Sequence, residues 1–260
     1  MDLIIGNTSQ LINYFDVNQT DLVSSRNYIP TDKNYQTVIL TFAEQRTYLD
    51  LPLDEYIKTN VEYTFELSKK LSEKNEKVVL FGSSELWNNY NGPISLGLPF
   101  DYQYSHYAFS KQKLVEMVKE EQDNGKMKNV FFVHPFNFNS PYRKQGFLFA
   151  KIFDSLINKK KIEVGNINIF RDIIHPKLIV NSIKNINSDT IVGSGVLTNI
   201  RDFTSDLFEN FNMNYKDYII ENSNSPSPHA QKCFWYDTDE LYTNLLEDTI
   251  IDIEKIHKKI

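Results

Sequence analysis

Tyr107 and Lys111 stand four residues apart in the run His106-Tyr107-Ala108-Phe109-Ser110-Lys111, so on a helix they share one face. A phenol with a pKa of about 10 is a poor acid or base at neutral pH. An ammonium one turn away favours the phenolate, and together with a bound dinucleotide it can bring the group into working range. Ser83 is the third candidate. It follows the apolar run Lys77-Val78-Val79-Leu80-Phe81 and Gly82, at the C-terminal end of a strand, where ligands of open α/β sheets gather. There its hydroxyl can hydrogen-bond the same substrate oxygen that the tyrosine protonates. The Tyr-x-x-x-Lys spacing is also what an ordinary helix face produces, so the surrounding elements carry the argument.

Those elements read in order as alternating strands and helices. Leu3-Ile4-Ile5 is a buried-type strand running into Gly6-Asn7-Thr8-Ser9-Gln10-Leu11-Ile12 and a short helical stretch. In a dinucleotide-binding turn, glycines allow the tight turn, close approach of backbone to pyrophosphate, and helix-to-strand packing. Only the first glycine is in place here; Ser9 and Ile12 occupy the second and third positions, and a Cβ at Ser9 crowds the approach. Asp21 to Arg26 reads as a second strand and its end, and Thr37 to Ala43 as the next parallel strand. Pro52 to Lys70 predicts a long helix, with Tyr56, Val61, Phe65 and Leu67 along one stripe. Asn129 to Val133 gives a further strand, and Pro141 to Phe149 the opening of a helix. Ile162 to Asn166 is a strand and turn, Ser223 to Pro228 a linker, and Asp237 to Glu240 a cap before the last helices.

Bulk properties narrow the class. With 260 residues, 41% of them hydrophobic, the chain can bury a substantial core. A net charge of −6 argues against a nucleic-acid footprint. Cys233 is the single cysteine, which excludes an intrachain disulfide and four-cysteine zinc sites, and the five scattered histidines show no ligand spacing, so no metal is expected. Runs such as Val130-Phe131-Phe132-Val133 are far too short for a membrane span. The acidic N-terminus lacks a secretory n-region, so the expectation is a cytoplasmic protein without membrane contact.

Taken together, these pieces resemble the extended short-chain dehydrogenase/reductase family that works on nucleotide sugars. The matching pieces, in the family's order, are Leu3-Ile4-Ile5-Gly6, Thr37 to Ala43, Asn60-Val61, Gly82-Ser83-Ser84-Glu85-Leu86-Trp87, Tyr107 with Lys111, His134-Pro135-Phe136-Asn137, Arg171-Asp172-Ile173-Ile174-His175, and Gly193-Ser194-Gly195 with Ile200-Arg201-Asp202. They run from about residue 3 to about residue 245. The separation of Ser83 from Tyr107, 24 positions, is one that the family uses, and Trp87 occupies the place of a recurrent family aromatic.

The resemblance implies a Rossmann-type, doubly wound parallel α/β sheet with a small C-terminal substrate-binding lobe. Residues 1–140 would form the cofactor-binding core, with a late strand and helix from about 172–212 returning to it or bridging, and 141–260 mainly the lobe. The family fits another helix and strand between the second strand and Thr37. Only fourteen residues, with Pro30 and the polar run Thr31 to Asn34, separate Val23 from Val38 here, so a sheet trimmed by about one βα unit is expected.

The resemblance also assigns roles. Gly6, Thr8, Ser9, Gln10, Leu11, Thr41, Phe42, Ala43, Pro135, Tyr107 and Lys111 would meet the nicotinamide dinucleotide, and Asn60 would help to fix the lysine through water. Arg26 stands about where family members that use a 2′-phosphorylated cofactor carry a basic residue, which favours NADP(H) over NAD(H). Ser84, Asn137 and Arg171 would touch the nucleotide-diphosphate sugar, the guanidinium matching diphosphate oxygens. His134 departs from the family's usual arginine. Glu85 is placed where the dehydratase branch keeps its base, although some reductases carry a glutamate there too.

The leading expectation is a reductase of an NDP-4-keto-6-deoxy sugar, with Tyr107 as general acid. A 4,6-dehydratase or epimerase with Glu85 as base is the alternative. A catalytically inactive binding protein that kept the fold is a third reading. A homodimer through paired helices is the family habit.

Overall fold

The computed structural model describes all residues except 17, 27, 145, 223–232 and 258–260. The linker expected over Ser223 to Pro228 lies outside the described residues. The elements follow in the order β1 (Asp2–Ile5), β2 (Thr20–Val23), β3 (Thr37–Leu40), α1 (Leu53–Tyr56), α2 (Thr64–Ser72), β4 (Lys77–Phe81), β5 (Gly92–Ile94), α3 (His106–Asp123) and β6 (Val130–Pro135). Next come β7 (Asn137–Phe138), α4 (Leu148–Asn158), β8 (Ile162–Val164), β9 (Phe170–Ile174), α5 (Pro176–Lys184), β10 (Thr190–Val192), β11 (Leu197–Asn199), α6 (Ile200–Asn210), β12 (Ile219–Glu221), β13 (Phe234–Tyr236) and α7 (Leu245–His257). The chain divides into two units, each described by itself.

The first unit comprises residues 1–86, 99–135 and 177–192. Its sheet has six strands in the order β10-β6-β4-β3-β1-β2, every pair parallel. Strands of such a sheet are buried on both faces and therefore read as continuous apolar runs. Val78, Val79 and Leu80 of β4 are all fully buried. Alternate residues Leu3 and Ile5, Val38 and Leu40, Val78 and Leu80, Val130 and Phe132 share one core with Phe65, Leu67 and Leu71 of α2 and Leu114, Val115 and Val118 of α3.

The strand order reverses between β1 and β3: the chain leaves β1 for β2 on one side and returns to β3 on the other. No helix and no further strand lie between Val23 and Thr37 among the described residues, which is the trimming that the short interval implied. The stretch ends in a fixed segment. Lys33 and the Tyr35 hydroxyl both bond the Asp21 carboxylate, and the Tyr35 N–H donates to Asn75 Oδ1 at 2.7 Å.

The helix expected over Pro52 to Lys70 is continuous from Leu53 to Ser72, but its middle, Ile57–Tyr63, is wound as a π-helix. Such a segment widens the turn and re-aims side chains, often at functional sites.

The second unit comprises residues 87–98, 136–176 and 193–260. It holds a three-stranded mixed sheet in the order β11-β9-β7 and two parallel pairs, β12 with β8 and β13 with β5. Phe149, Ile152, Phe153 and Leu156 of α4 pack with Phe203, Leu207 and Phe208 of α6 and Leu245 and Ile253 of α7. The helix expected from Pro141 begins only at Leu148. Gly146 has φ +105°, which no right-handed helix can pass through, and Phe147 is extended.

Candidate active site

The C-terminal end of β4 and the first turn of α3 build the site. Ser105 caps α3, its side chain accepting from the Ala108 N–H at 3.1 Å, so Tyr107 lies in the first turn, where the helix dipole favours negative charge on a phenol. Tyr107 is half-buried. The Lys111 ammonium sits 5.8 Å from the centre of the Tyr107 ring and donates to the Phe81 carbonyl at 2.7 Å, at the end of the strand that leads to Ser83. Lys111 is only 3% exposed, and loss of hydration pushes its pKa down to about 8. The group stays mainly protonated at neutral pH, yet it is poised to change charge close to it.

Ser83 and Ser84 are buried, and the Ser83 hydroxyl accepts from the Glu85 N–H at 3.1 Å, opening a short 3-10 turn over Ser84–Trp87. Glu85 itself is half-buried.

Beneath this turn the packing is close. A Cβ on Gly82 would come within 2.1 Å of His134 Nδ1, so glycine there and the imidazole on the neighbouring strand are mutually dependent. His134 is 2% exposed; burial, with repulsion from Lys119 and Lys111, drives its pKa down to about 3 and keeps the ring neutral. It lies against Phe132 and Phe100 as a packed ring. Pro135, the next residue, is buried at the end of β6.

Asn60, in the π-helical segment, is the hub of a network that composition and spacing did not disclose. Its Oδ1 accepts from the Glu44 N–H at 2.7 Å, and its Nδ2 donates to the Glu44 carbonyl at 2.9 Å and to Ser110 Oγ at 3.0 Å. Ser110 in turn donates to the Tyr107 carbonyl at 2.7 Å. Asn60 therefore engages the residue before Lys111 and ties the loop after β3 to the turn that carries the tyrosine.

At the switch between β1 and β3, Gly6 adopts φ +125°, a conformation that side chains rarely allow. A Cβ there would meet Thr41 Oγ1 at 2.6 Å. The Thr41 hydroxyl donates to the Gly6 and Ile5 carbonyls, so it buttresses the turn. Ser9 caps a five-residue 3-10 helix, Gln10–Tyr14, through the Leu11 N–H, with Gln10 and Leu11 buried and Thr8 exposed. The glycine turn stands at the reversal of strand order, the place where open α/β sheets gather their ligands. The helix that would ordinarily follow is reduced to a single short turn.

Arg26 is exposed beyond β2. Phe42 and Ala43 are half-buried just past β3.

In the second unit, Asn137 of β7 pairs with Ile173, and Arg171 of β9 lies across from Thr198. The neighbouring Asp172 carboxylate accepts from the N–H groups of Ser194, Gly195 and Tyr236 and from the Ser194 hydroxyl, a hub that holds β9 to the turn before β11 and to β13. A cavity of about 230 Å³ opens beside β8, lined by Leu148, Lys151, Val164, Gly165, Asn166, Ile167 and Ile169. Sequence reasoning did not single it out, since its walls are ordinary apolar and amide residues.

A fold of this order, with a tyrosine and a buried lysine at the mouth of β4, defines the short-chain dehydrogenase/reductase class. The family model described as GDP-mannose 4,6 dehydratase matches residues 52–260, and the chain belongs to that family of extended short-chain dehydrogenase/reductase enzymes acting on nucleotide sugars with NAD(P). The match begins after the glycine turn. No curated protein matches the sequence.

Among solved structures the fold is similar to UDP-N-acetylglucosamine 4-epimerase from Methanobrevibacter ruminantium M1 in complex with UDP-N-acetylmuramic acid. That likeness has TM-score 0.81 and 14% identity over 100% of this chain and 98% of the other. RMD from Pseudomonas aeruginosa, complexed with NADPH, gives 0.75 and 16% over 100% and 99%. DesIV, a dTDP-glucose 4,6-dehydratase from Streptomyces venezuelae with NAD and TYD bound, gives 0.74 and 13% over 99% and 97%. Identities this low establish the fold alone.

Proposed function

We propose that the chain is an NADP(H)-dependent reductase of a nucleotide-linked 4-keto-6-deoxy sugar. The observation that carries this reading is the Lys111 ammonium, buried beneath Tyr107 and fixed to the end of the strand leading to Ser83. When bound, the nicotinamide supplies the hydride that reaches the ketone carbon. Tyr107 gives its proton to the ketone oxygen as the carbon–oxygen double bond becomes single, and Lys111 stabilises the phenolate left behind until solvent returns the proton. Ser83 hydrogen-bonds the same oxygen and fixes its approach.

Gly6, Thr8, Ser9, Gln10 and Leu11, with Thr41, Phe42, Ala43, Asn60 and Pro135, would hold the dinucleotide directly or through the turns they support, and Arg26 would meet a 2′-phosphate. Ser84, Asn137 and Arg171 would meet the nucleotide-diphosphate sugar, the last two through its diphosphate. In this reading residues 1–140 mainly bind cofactor and 141–260 mainly bind substrate, and the enzyme works as a cytoplasmic homodimer.

Mixing the protein with NADPH and a panel of 4-keto sugars on different nucleotides tests the reading. Loss of NADPH absorbance with one member, matched by formation of its 4-hydroxy product, supports it; no oxidation with any of them rejects it.

Glu85 motivates a second reading. It is half-buried two residues past Ser83, and the family model is that of a dehydratase. With Glu85 removing the proton beside the ketone, the same residues would run a 4,6-dehydratase or an epimerase. Such enzymes return the hydride and tend to keep their cofactor. Purified protein that carries a stoichiometric nucleotide and turns over 4-hydroxy sugars without added NADPH would favour this second reading.

A further inference from the structure

Tyr63 closes the π-helical segment that begins at Ile57, three residues after Asn60. Where Asn60 is aimed at α3, Tyr63 is aimed at the other flank of the switch point. Its hydroxyl donates to the Ser25 carbonyl at 2.6 Å, and its ring packs on Phe42, just past β3, with 5.4 Å between centres. Ser25 lies in the turn Ser24-Ser25-Arg26 that ends β2, and Ser24 Oγ accepts from the Arg26 N–H at 3.2 Å. Tyr28 packs against the same core as Phe42 and Tyr63, and burial raises the pKa of both phenols, so at neutral pH Tyr63 is a donor.

The trimmed sheet explains why such a tether is needed. In a sheet with one more βα unit, the turn after β2 would be held between neighbouring strands. Here β2 is the edge strand, and the chain leaves it as a loop. The far end of that loop is pinned by Lys33 and Tyr35 on Asp21 and by Lys74 on Asp32. Tyr63 supplies the corresponding hold at the near end, beside Arg26. The Arg26 side chain is exposed, and no ion pair engages it among the described residues. An exposed guanidinium costs rotamer entropy to position, so a fixed backbone at its root lowers the cost of meeting a phosphate.

We propose that Tyr63 is a specificity-determining residue for the cofactor: by fixing the Ser24–Arg26 turn through the Ser25 carbonyl, it sets Arg26 to receive the 2′-phosphate of NADPH. This rests on the reading of the chain as an NADP(H) enzyme. Tyr63 acts through Arg26 and is a positioning residue.

The test is equilibrium binding of NADPH and NADH to the full chain, to Tyr63→Phe, to Arg26→Ala and to the double variant. Tyr63→Phe keeps the ring on Phe42 and removes the bond to Ser25. NADPH affinity should fall about fivefold, the order expected of one lost hydrogen bond, with NADH affinity within about twofold. In the Arg26→Ala background the same change should have no further effect on the ratio. Equal losses for both cofactors, or none, overturn the proposal while leaving the oxidoreductase reading intact. A wild-type chain that binds neither cofactor overturns both, and one that prefers NADH overturns this proposal and the assignment of Arg26.

Discussion

Lys111 donates to the carbonyl of Phe81 at 2.7 Å, joining the first turns of α3 to the end of β4. A buried cation held by one neutral carbonyl pays a desolvation cost that a bound dinucleotide's negative charge would offset. Its folded pKa, about 8, lies below the ordinary 10.5. Below about pH 8 the group is charged in both states and the full penalty applies. Between about 8 and 10.5 the unfolded chain binds more protons than the folded one, so stability rises with pH. The gain through that window should be about 3 kcal/mol. Lys111→Met should lose turnover but show no such rise, which chemical denaturation from pH 7 to 10 reads directly; parallel pH profiles for the two proteins would contradict the assignment.

Tyr107→Phe removes only the proton donor. Turnover should fall by about 10²–10⁴-fold. NADPH affinity should stay within about twofold, because the ring still lies over Lys111. Steady-state rates beside fluorescence titration separate the two effects, and an active variant would remove Tyr107 from the mechanism.

Asn60 and Ser110 form one network, so their effects should not add. Each alanine substitution strands buried partners and should cost about 1–3 kcal/mol in urea unfolding. The double variant should cost clearly less than the sum of the singles, since both remove the bond between Nδ2 and Oγ. Strict additivity would mean that the bond contributes nothing.

Gly82→Ala drives a methyl group into the His134 ring and should destabilise by about 1–3 kcal/mol. His134→Ala in the same chain should recover part of that loss by making room. Thermal unfolding of the four proteins of the cycle measures it, and a Gly82→Ala protein as stable as the wild type would refute the close approach.

The elements that carry the candidate residues were legible because their signals are local. The strand Lys77–Phe81 lies where the apolar run predicts it, and α3 opens at His106, at the start of the run that carries Tyr107 and Lys111. The trimming of the sheet could be read from a length alone. Helix α4 was expected too early because the apolar pattern after Pro141 hides the positive φ of Gly146. The π-helix escaped because one inserted residue per turn leaves no mark on an already imperfect stripe. The bonds of Asn60 to Glu44 and Ser110 left no sign in the sequence, since hydrogen-bond partners depend on how elements abut. The cavity beside β8 and the tether from Tyr63 to Ser25 were invisible for the same reason.

The position of β10 has a consequence for synthesis on the ribosome. The strand pairs beside β6 at one margin of the parallel sheet, but its residues come after α4, β8 and β9 of the other unit. A nascent chain must therefore expose the open flank of β6 while that whole insertion is being translated. Misassembly and chaperone capture are then most to be expected before Val192 emerges, and chains truncated just upstream of Thr190 should aggregate more readily than chains truncated just after it.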